Sequence, residues 1–394
     1  MSFLRAYLGE FRKLIRPRGL IILAVIFVIF FIFFAIIYNI NFETLYDNIL
    51  GALEESGMMD GQGSIVYVDG EFKHKVDEGI YISEAEYAEE YGYINCDYFT
   101  LANADNVDTI IEELKEYRDY YKANSDSDRF GDYEQQAALL TGSIKILEYM
   151  KANNLYGVEV DGNRGGMFSG VSLFFMGSAE GFTQAYFEAV IAILLIYGVV
   201  VAAGLYADEY SKGTIKLVML RPVSRNTMTT AKLLALFSYL SAILFSATFI
   251  AFIYGIIKFG SNSTDTLLVL FNNRSVFKST VGGKAMLEMF LQLIELFASV
   301  SFAYMLGTVM RKKTGAIVLS FVILAGIVSA IFSAFGVGIE RFLFSTNTDL
   351  TRYFGLPYNM SVKDNFFIAL PVLVGYLAAI LAALYLTVEK RDVI

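Results

Sequence analysis

Long apolar runs broken by shorter polar stretches set the pattern of this 394-residue chain. Leu20 to Tyr38 reads LIILAVIFVIFFIFFAIIY, 19 residues without a charge, which as a helix is about 28 Å long, close to the thickness of a bilayer's hydrocarbon core. The run is longer than the apolar core of a cleaved signal peptide and no small-x-small site follows it, so a retained anchor is expected. Five further runs of spanning length lie at Phe187–Tyr206, Leu233–Ile257, Met286–Met310, Ala316–Val337 and Phe367–Val388. Six spans are predicted. At 56% hydrophobic and 18% charged, the composition excludes an ordinary soluble domain and a disordered chain.

Charge orients these spans, because basic residues are retained on the cytoplasmic side during insertion. Segments 1–19, 207–232, 311–315 and 389–394 carry 15 Lys and Arg in 56 positions, whereas 39–186, 258–285 and 338–366 carry 16 in 205. Both termini are expected in the cytoplasm of a multi-pass cell-membrane protein, with 39–186 outside. The net charge of −9 conceals a division: residues 39–186 hold 9 Lys and Arg against 28 Asp and Glu, and the remainder holds 22 against 12. An acidic block is inserted into a basic membrane part.

That block is long enough to fold by itself. Ser64 to Val76 alternates apolar and polar residues around Asp69-Gly70, a pair favoured in two-residue hairpin turns. Asn106 to Ala123 places Val107, Ile110, Ile111, Leu114, Tyr117 and Tyr121 at helical spacing, and Asp132 to Asn153 predicts a second helix. A small α+β extracellular domain is expected, followed by a glycine-rich approach, Gly162 to Gly170, and an apolar stretch, Val171 to Tyr186, read as an interfacial or re-entrant helix. The excess acid suits solubility first and recruitment of cationic substrates or peptides second. Cys96, the one cysteine, reads as a small packed residue, and His74, the one histidine, as surface decoration; the pair excludes a disulfide framework and a histidine-built zinc site.

Phe3 to Ile15 sets Phe3, Leu4, Tyr7, Leu8, Phe11, Leu14 and Ile15 on one helical face and Arg5, Arg12 and Lys13 largely on the other. Residues 1–19 therefore read as an amphipathic helix in the inner interface, ended by Pro17 before the first span at 20–38. Asp208 to Lys232, inside the cytoplasmic loop 207–232, joins a short amphipathic piece, Thr214 to Leu220, to a corner at Arg221-Pro222. Ser224 is placed to cap a new helix running into the third span.

This loop resembles that of type-2 ABC exporter permeases, the membrane subunits driven by a separate ATP-binding subunit. Glu209, the Gly213-Thr214 pair, Leu217, Leu220, the Pro222-Val223-Ser224-Arg225 corner and Lys232 fall at the positions matching that family's pattern. The resemblance extends to the six-span layout and the amino-terminal helix; the large block between the first two spans departs from the shortest family members. It implies that Glu209 to Leu220 forms a coupling helix docking into the ATPase, so that Glu209, Gly213, Thr214, Leu217, Leu220, Pro222 and Arg225 are the expected coupling residues. It also implies a dimer of permeases, with a second copy or a related permease, working with two ATPases that bind ATP and magnesium.

Within the fourth span Glu288, Gln292, Glu295 and Ser299 share one helical face. Such a stripe lines a substrate path or seals a hydrogen-bonded seam between helices. No G-x-x-x-x-G-K-[ST] loop, H-E-x-x-H, G-x-S-x-G or Cys/His cluster occurs. The chain is therefore expected to be no enzyme, to bind no cofactor or metal itself and to have no nucleic-acid partner, its surroundings being the lipid bilayer. The fold class expected is an all-α six-helix transmembrane bundle, 20–38 with 187–394, carrying an inserted α+β domain at 39–186. The leading reading is an ATP-driven exporter permease for a drug, lipid or antimicrobial peptide. Two alternatives stand beside it: an ion-coupled transporter or channel using the Glu288 and Glu295 stripe, and a membrane-anchored peptide sensor or immunity protein.

Overall fold

A computed structural model describes residues 3–15, 17–37, 65–68, 71–77, 80–83, 86, 98–124, 132–156, 158–160, 179–215, 223–260, 267–272, 274–334, 342–354 and 366–390. The chain opens with α1 (Phe3–Leu14) and α2 (Pro17–Ile37), and Pro17 starts α2 at the first helical position, where its missing N–H is no loss. Strands β1 (Ile65–Val68), β2 (Glu71–Asp77) and β3 (Ile80–Ser83) follow, then helices α3 (Tyr98–Leu101), α4 (Val107–Asn124) and α5 (Asp132–Asn153) and the short strand β4 (Glu159–Val160). The long helices α6 (Ala179–Ser211) and α7 (Arg225–Phe259) lead into β5 (Leu267–Phe271) and β6 (Val276–Thr280). After these come α8 (Val281–Met310), α9 (Lys313–Leu324), α10 (Ile327–Ala334), α11 (Phe344–Thr348), a 3₁₀ turn at Thr351–Tyr353 and α12 (Phe366–Lys390).

Among the described residues four helices, α6, α7, α8 and α12, are long and apolar enough to cross a membrane, while Ile21–Ile36 of α2 and Lys313–Leu324 of α9 are shorter apolar helices. The fifth expected span differs. Ala316–Val337 is not one helix: α9 stops at Leu324 and α10 begins at Ile327, with Gly326 between them at φ +72°, a left-handed conformation that glycine adopts without steric cost. Val171–Tyr186 is not a separate helix either, because Ala179–Tyr186 forms the first turns of α6; residues 161–178, including the Gly162 to Gly170 stretch, lie outside the described residues.

α6 is the hub, packing against α2, α7, α8 and α9. Its core contact is apolar, with Leu194, Leu236, Leu240, Leu296 and Val300 all buried. Where α6 meets α8 the backbones nearly touch: a Cβ added at Gly307 would lie 2.2 Å from the Ala203 carbonyl oxygen. Without a hydrophobic drive between helices in lipid, such close approach through small residues supplies the packing energy. α2 docks through aromatic edges, Phe31 meeting Phe182, Tyr186 and Tyr254 at centroid distances of 5.8, 5.4 and 5.1 Å.

The acidic block contributes β1–β2–β3, an antiparallel sheet in which Val68 pairs with Glu71, so the predicted two-residue connection is the one the register requires. Asp69 and Gly70 themselves, and Cys96, lie outside the described residues, as do the surroundings of His74. α4 and α5 pack as a helical pair over Ile110, Ile111, Leu114, Ile144, Leu147 and Met150. Across that pair Lys151 holds Asp108 at 2.5 Å, and this hydrogen bond raises the exposed ammonium's pKa above its usual value. The sheet beside them, ordered β4–β5–β6, takes two strands from the loop between the third and fourth expected spans: Glu159 pairs in parallel with Leu268, and β5 pairs antiparallel with β6. The boundary expected at 186 therefore needs correction. This layer gains 267–280, and it loses Ala179–Tyr186 to the helix bundle.

Candidate functional site

The segment between α6 and α7 is built from two helix ends. α6 runs through Glu209 to Ser211 and stops because Gly213, at φ +68°, turns the backbone left-handed and its N–H closes on the Tyr210 carbonyl at 3.1 Å. The Thr214 hydroxyl adds a bond to the Glu209 carbonyl at 3.4 Å. Ser224 then opens α7 as expected, its hydroxyl accepting the Thr227 N–H at 3.1 Å. The Arg225 guanidinium donates to the carbonyls of Val388 and Glu389 at 3.4 Å, tying the start of α7 to the end of α12, where helix carbonyls lack partners of their own. A helix continuous from Glu209 to Leu220 is thus corrected: Glu209 belongs to the last turns of α6. Leu217, Leu220 and Pro222 lie outside the described residues.

Beneath this loop sits a buried ionic cluster. Lys232 of α7, its side chain 1% exposed, donates to Glu209 Oε1 and, at 3.2 Å, to the Leu205 carbonyl. Its Nζ lies 4.8 Å from the Tyr206 ring centroid and 3.9 Å from Glu10 Oε2. Glu10 comes from α1 and is itself held by Lys13 at 2.6 Å. Two carboxylates and two ammoniums balance. A buried charge is tolerated only when paired and hydrogen-bonded, so Lys232 obliges α1, α6 and α7 to keep their present register. One acceptor, Glu209 Oε2, is buried without a partner among the described residues. Below Lys232 the Tyr206 and Tyr304 rings stack at 5.6 Å, Tyr206 exchanging a hydrogen bond with Thr229 at 2.9 Å and Tyr304 donating to the Thr229 carbonyl at 3.4 Å, which brings α8 into the same cluster.

Glu209 and Lys232, 23 residues apart and both read from the sequence, are thus brought into contact. The contact commits one carboxylate oxygen of Glu209, Oε1, to Lys232. Two further ties fix the same end of the bundle. Lys313 of α9 reaches Asp208 at 3.2 Å, and the Arg311 guanidinium lies 4.5 Å from the Tyr210 ring centroid while its backbone takes φ +55° to close α8. Glu10, Tyr206, Asp208 and Tyr304 were not singled out by the sequence. Glu10 had a readable signal, as the sole acid among the five basic residues of 1–19.

Residues 167–394 match the model of a family described as a protein of unknown function, DUF2705. The chain belongs to this family. Two Bacillus subtilis (strain 168) proteins are similar to it: the uncharacterized protein YhcI, 25% identical over 50% of this chain, and the uncharacterized membrane protein YdbK, 24% identical over 43%. The matches span 64% and 65% of those proteins, so the chain covers less than two thirds of the length of either relative. With four helices of spanning length and a relative named as a membrane protein, this DUF2705 chain is a membrane protein, largely helical. The DUF2705 match contains α6, α7, α8 and the whole Lys232 cluster except Glu10 and Lys13.

The predicted stripe on α8 is split by the structure. Glu288 accepts a hydrogen bond from Gln184 of α6 and pairs with Lys284 at 3.5 Å, which makes it part of a seam between helices. Glu188, not singled out by the sequence, lies within electrostatic reach of Glu288, Lys284 and Asp349. Glu295, deeper along α8, lies within reach of Asp349, which the segment around α11 carries back toward the bundle. Gln292 Oε1 is buried without a partner among the described residues, and Ser299 is buried. Among the described residues no three His, Cys, Asp or Glu side chains converge as a metal-binding group.

Proposed function

We propose that this chain is the membrane-spanning subunit of an ATP-driven exporter of the ABC type-2 class, forming the substrate path and driven by a separate ATPase through the loop between α6 and α7. The observation that carries this reading is the construction of that loop. Its two ends are closed by Gly213 and Ser224, and its roots are locked to each other and to α1 by Glu209, Lys232 and Glu10. Helix ends so held to each other suit transmission of an ATPase's closure into α6 and α7. Sequence supplies the rest: Leu217, Leu220 and Pro222 fit the docking segment, and the remaining energy source lies outside the chain because no phosphate-binding loop occurs in it.

In this reading α2 and the α9–α10 pair are the first and fifth of six spans, both termini are cytoplasmic, and the layer built on α4, α5 and β4–β6 is the outer domain. A second permease copy or a related permease completes the path. The Glu188, Glu288, Glu295 and Asp349 group supports a second reading, an ion-coupled transporter, since intramembrane carboxylates mark ion pathways by default.

Purification of the tagged chain from its own cells in mild detergent, with mass spectrometry of what accompanies it, tests the choice. A stoichiometric ATP-binding subunit is expected, lost when Leu217 and Leu220 are both changed to Ser while membrane insertion persists. Its reproducible absence from intact, folded permease would overturn the exporter reading in favour of the ion-coupled one.

A further inference from the structure

A groove of about 510 Å³ runs down the lateral face of the bundle between α1, α2 and α7. That volume lies within the range of small-molecule and lipid pockets. Its floor is Leu23, Phe27 and Tyr239, and its lips are Val28 and Ile250, 55% and 59% exposed. Along α7 it extends from Tyr239 to Ile250, about 16 Å at 1.5 Å per residue. Phe11 and Ile15 of α1 form one mouth, so the groove begins at the interfacial helix and continues into the depth of the membrane.

The helix that forms this mouth is basic. Arg12 follows Phe11 directly, is exposed, and has no acidic partner among the described residues, whereas Lys13 is committed to Glu10. Residues 1–19 hold five basic residues against one acid. An apolar slot that begins at a basic helix carrying an exposed arginine matches one amphiphile: a chain of methylenes below an anionic headgroup at the membrane surface.

We propose that this groove is a binding site for an acyl chain of an anionic phospholipid, drawn from the leaflet in which α1 lies, with its headgroup at Arg12. The lipid fills the space between α2 and α7, which meet at Phe31 and Tyr254, and so fastens α1 and α2 to the rest of the bundle. The site does not depend on the exporter reading, since neither the groove nor Arg12 belongs to the loop between α6 and α7.

The full chain, reconstituted in vesicles of equal parts dioleoyl-phosphatidylglycerol and dioleoyl-phosphatidylcholine and re-extracted, is examined by native mass spectrometry. One retained phosphatidylglycerol per chain is expected, at a preference of about fivefold over phosphatidylcholine. Val28→Trp, which fills the groove from its exposed lip, lowers retention by at least the same factor with an unchanged circular dichroism spectrum, and Ser246→Phe on the opposite wall does likewise. Arg12→Gln removes the headgroup preference but leaves retention. No retained lipid, or retention indifferent to both filling variants, overturns the proposal. So does a lipid-free dimer that Val28→Cys cross-links in a Cys96→Ser background, which would give the groove to a second copy.

Discussion

Replacing Lys232 with Met removes the cation from the centre of the buried cluster while keeping most of the side chain's volume. The variant leaves Glu209 without its Lys232 donor, takes a nearby cation from Glu10, and strips the Leu205 carbonyl of its bond. Breaking a buried ion pair from one side costs about 3–5 kcal/mol, because the remaining charge keeps its desolvation penalty. Two unit charges about 4 Å apart attract by roughly 4 kcal/mol at an effective dielectric of 20, the same order. Glu209 retains 16% exposure against 1% for Lys232, which places the expected loss at the lower end, about 3 kcal/mol. Adding Glu209→Gln to Lys232→Met should recover part of it, giving a coupling of about 1–3 kcal/mol between the two positions. Denaturant unfolding in detergent, followed by far-ultraviolet circular dichroism for the wild type, both single variants and the double, measures the cycle. A Lys232→Met protein as stable as the wild type, or single losses that simply add, would refute the view that Lys232 holds α1, α6 and α7 together.

Three smaller predictions concern features elsewhere. Ser224→Ala deletes the cap of α7 and should lower stability by about 1 kcal/mol in the same unfolding assay, with Ser224→Asp close to wild type. Gly307→Ala sets a methyl against the Ala203 carbonyl and should destabilise by about 1–3 kcal/mol; equal thermal stability of the two proteins would show that α6 and α8 are not in backbone contact. The ion pair of Lys151 with Asp108 raises the folded-state pKa of the lysine above 10.5, so its contribution is complete below that value and disappears as pH rises through the higher one. The stability difference between wild type and Lys151→Met should therefore be flat from about pH 6 to about pH 9 and shrink only in stronger alkali. It should also fall with added salt, the pair being exposed.

Much of the bundle was legible because hydropathy over a helix's length is a local property. The runs at 187–206, 233–257, 286–310 and 367–388 all fall inside single helices, and Pro17, Ser224 and the α5 limits at Asp132 and Asn153 were readable from end signals. The break at Gly326 was not, since one glycine in a stretch of Val, Ile, Leu and Phe barely alters a mean taken over a whole span. β5 and β6 went unseen because LLVLF and VFKST lie in what charge counting treats as a connecting loop, and pairing of Glu159 with Leu268 leaves no periodicity near either. The candidate site divides the same way. Ser224 was readable as a helix cap, and Glu209, Gly213 and Lys232 through the loop's resemblance to a known pattern, whereas the stacking of Tyr206 on Tyr304 joins residues that nothing in the sequence sets side by side. The stripe on α8 was read as one face, but Glu288 and Glu295 meet different neighbours because α6 and the α11 segment cover different lengths of it.

The sheet that joins β4 to β5 and β6 has a mechanical side. Thr280 is at once the last residue of β6 and the cap of α8, its hydroxyl accepting the Gly283 N–H, so no slack separates strand from helix. β6 in turn is hydrogen-bonded along its whole length to β5, and β5 to β4, which belongs to the layer carrying α4 and α5. A rotation of α8 about its axis must drag this ladder with it or break it. The α4–α5 layer is therefore coupled to α8 through an unbroken run of strand hydrogen bonds, with Thr280 as the joint.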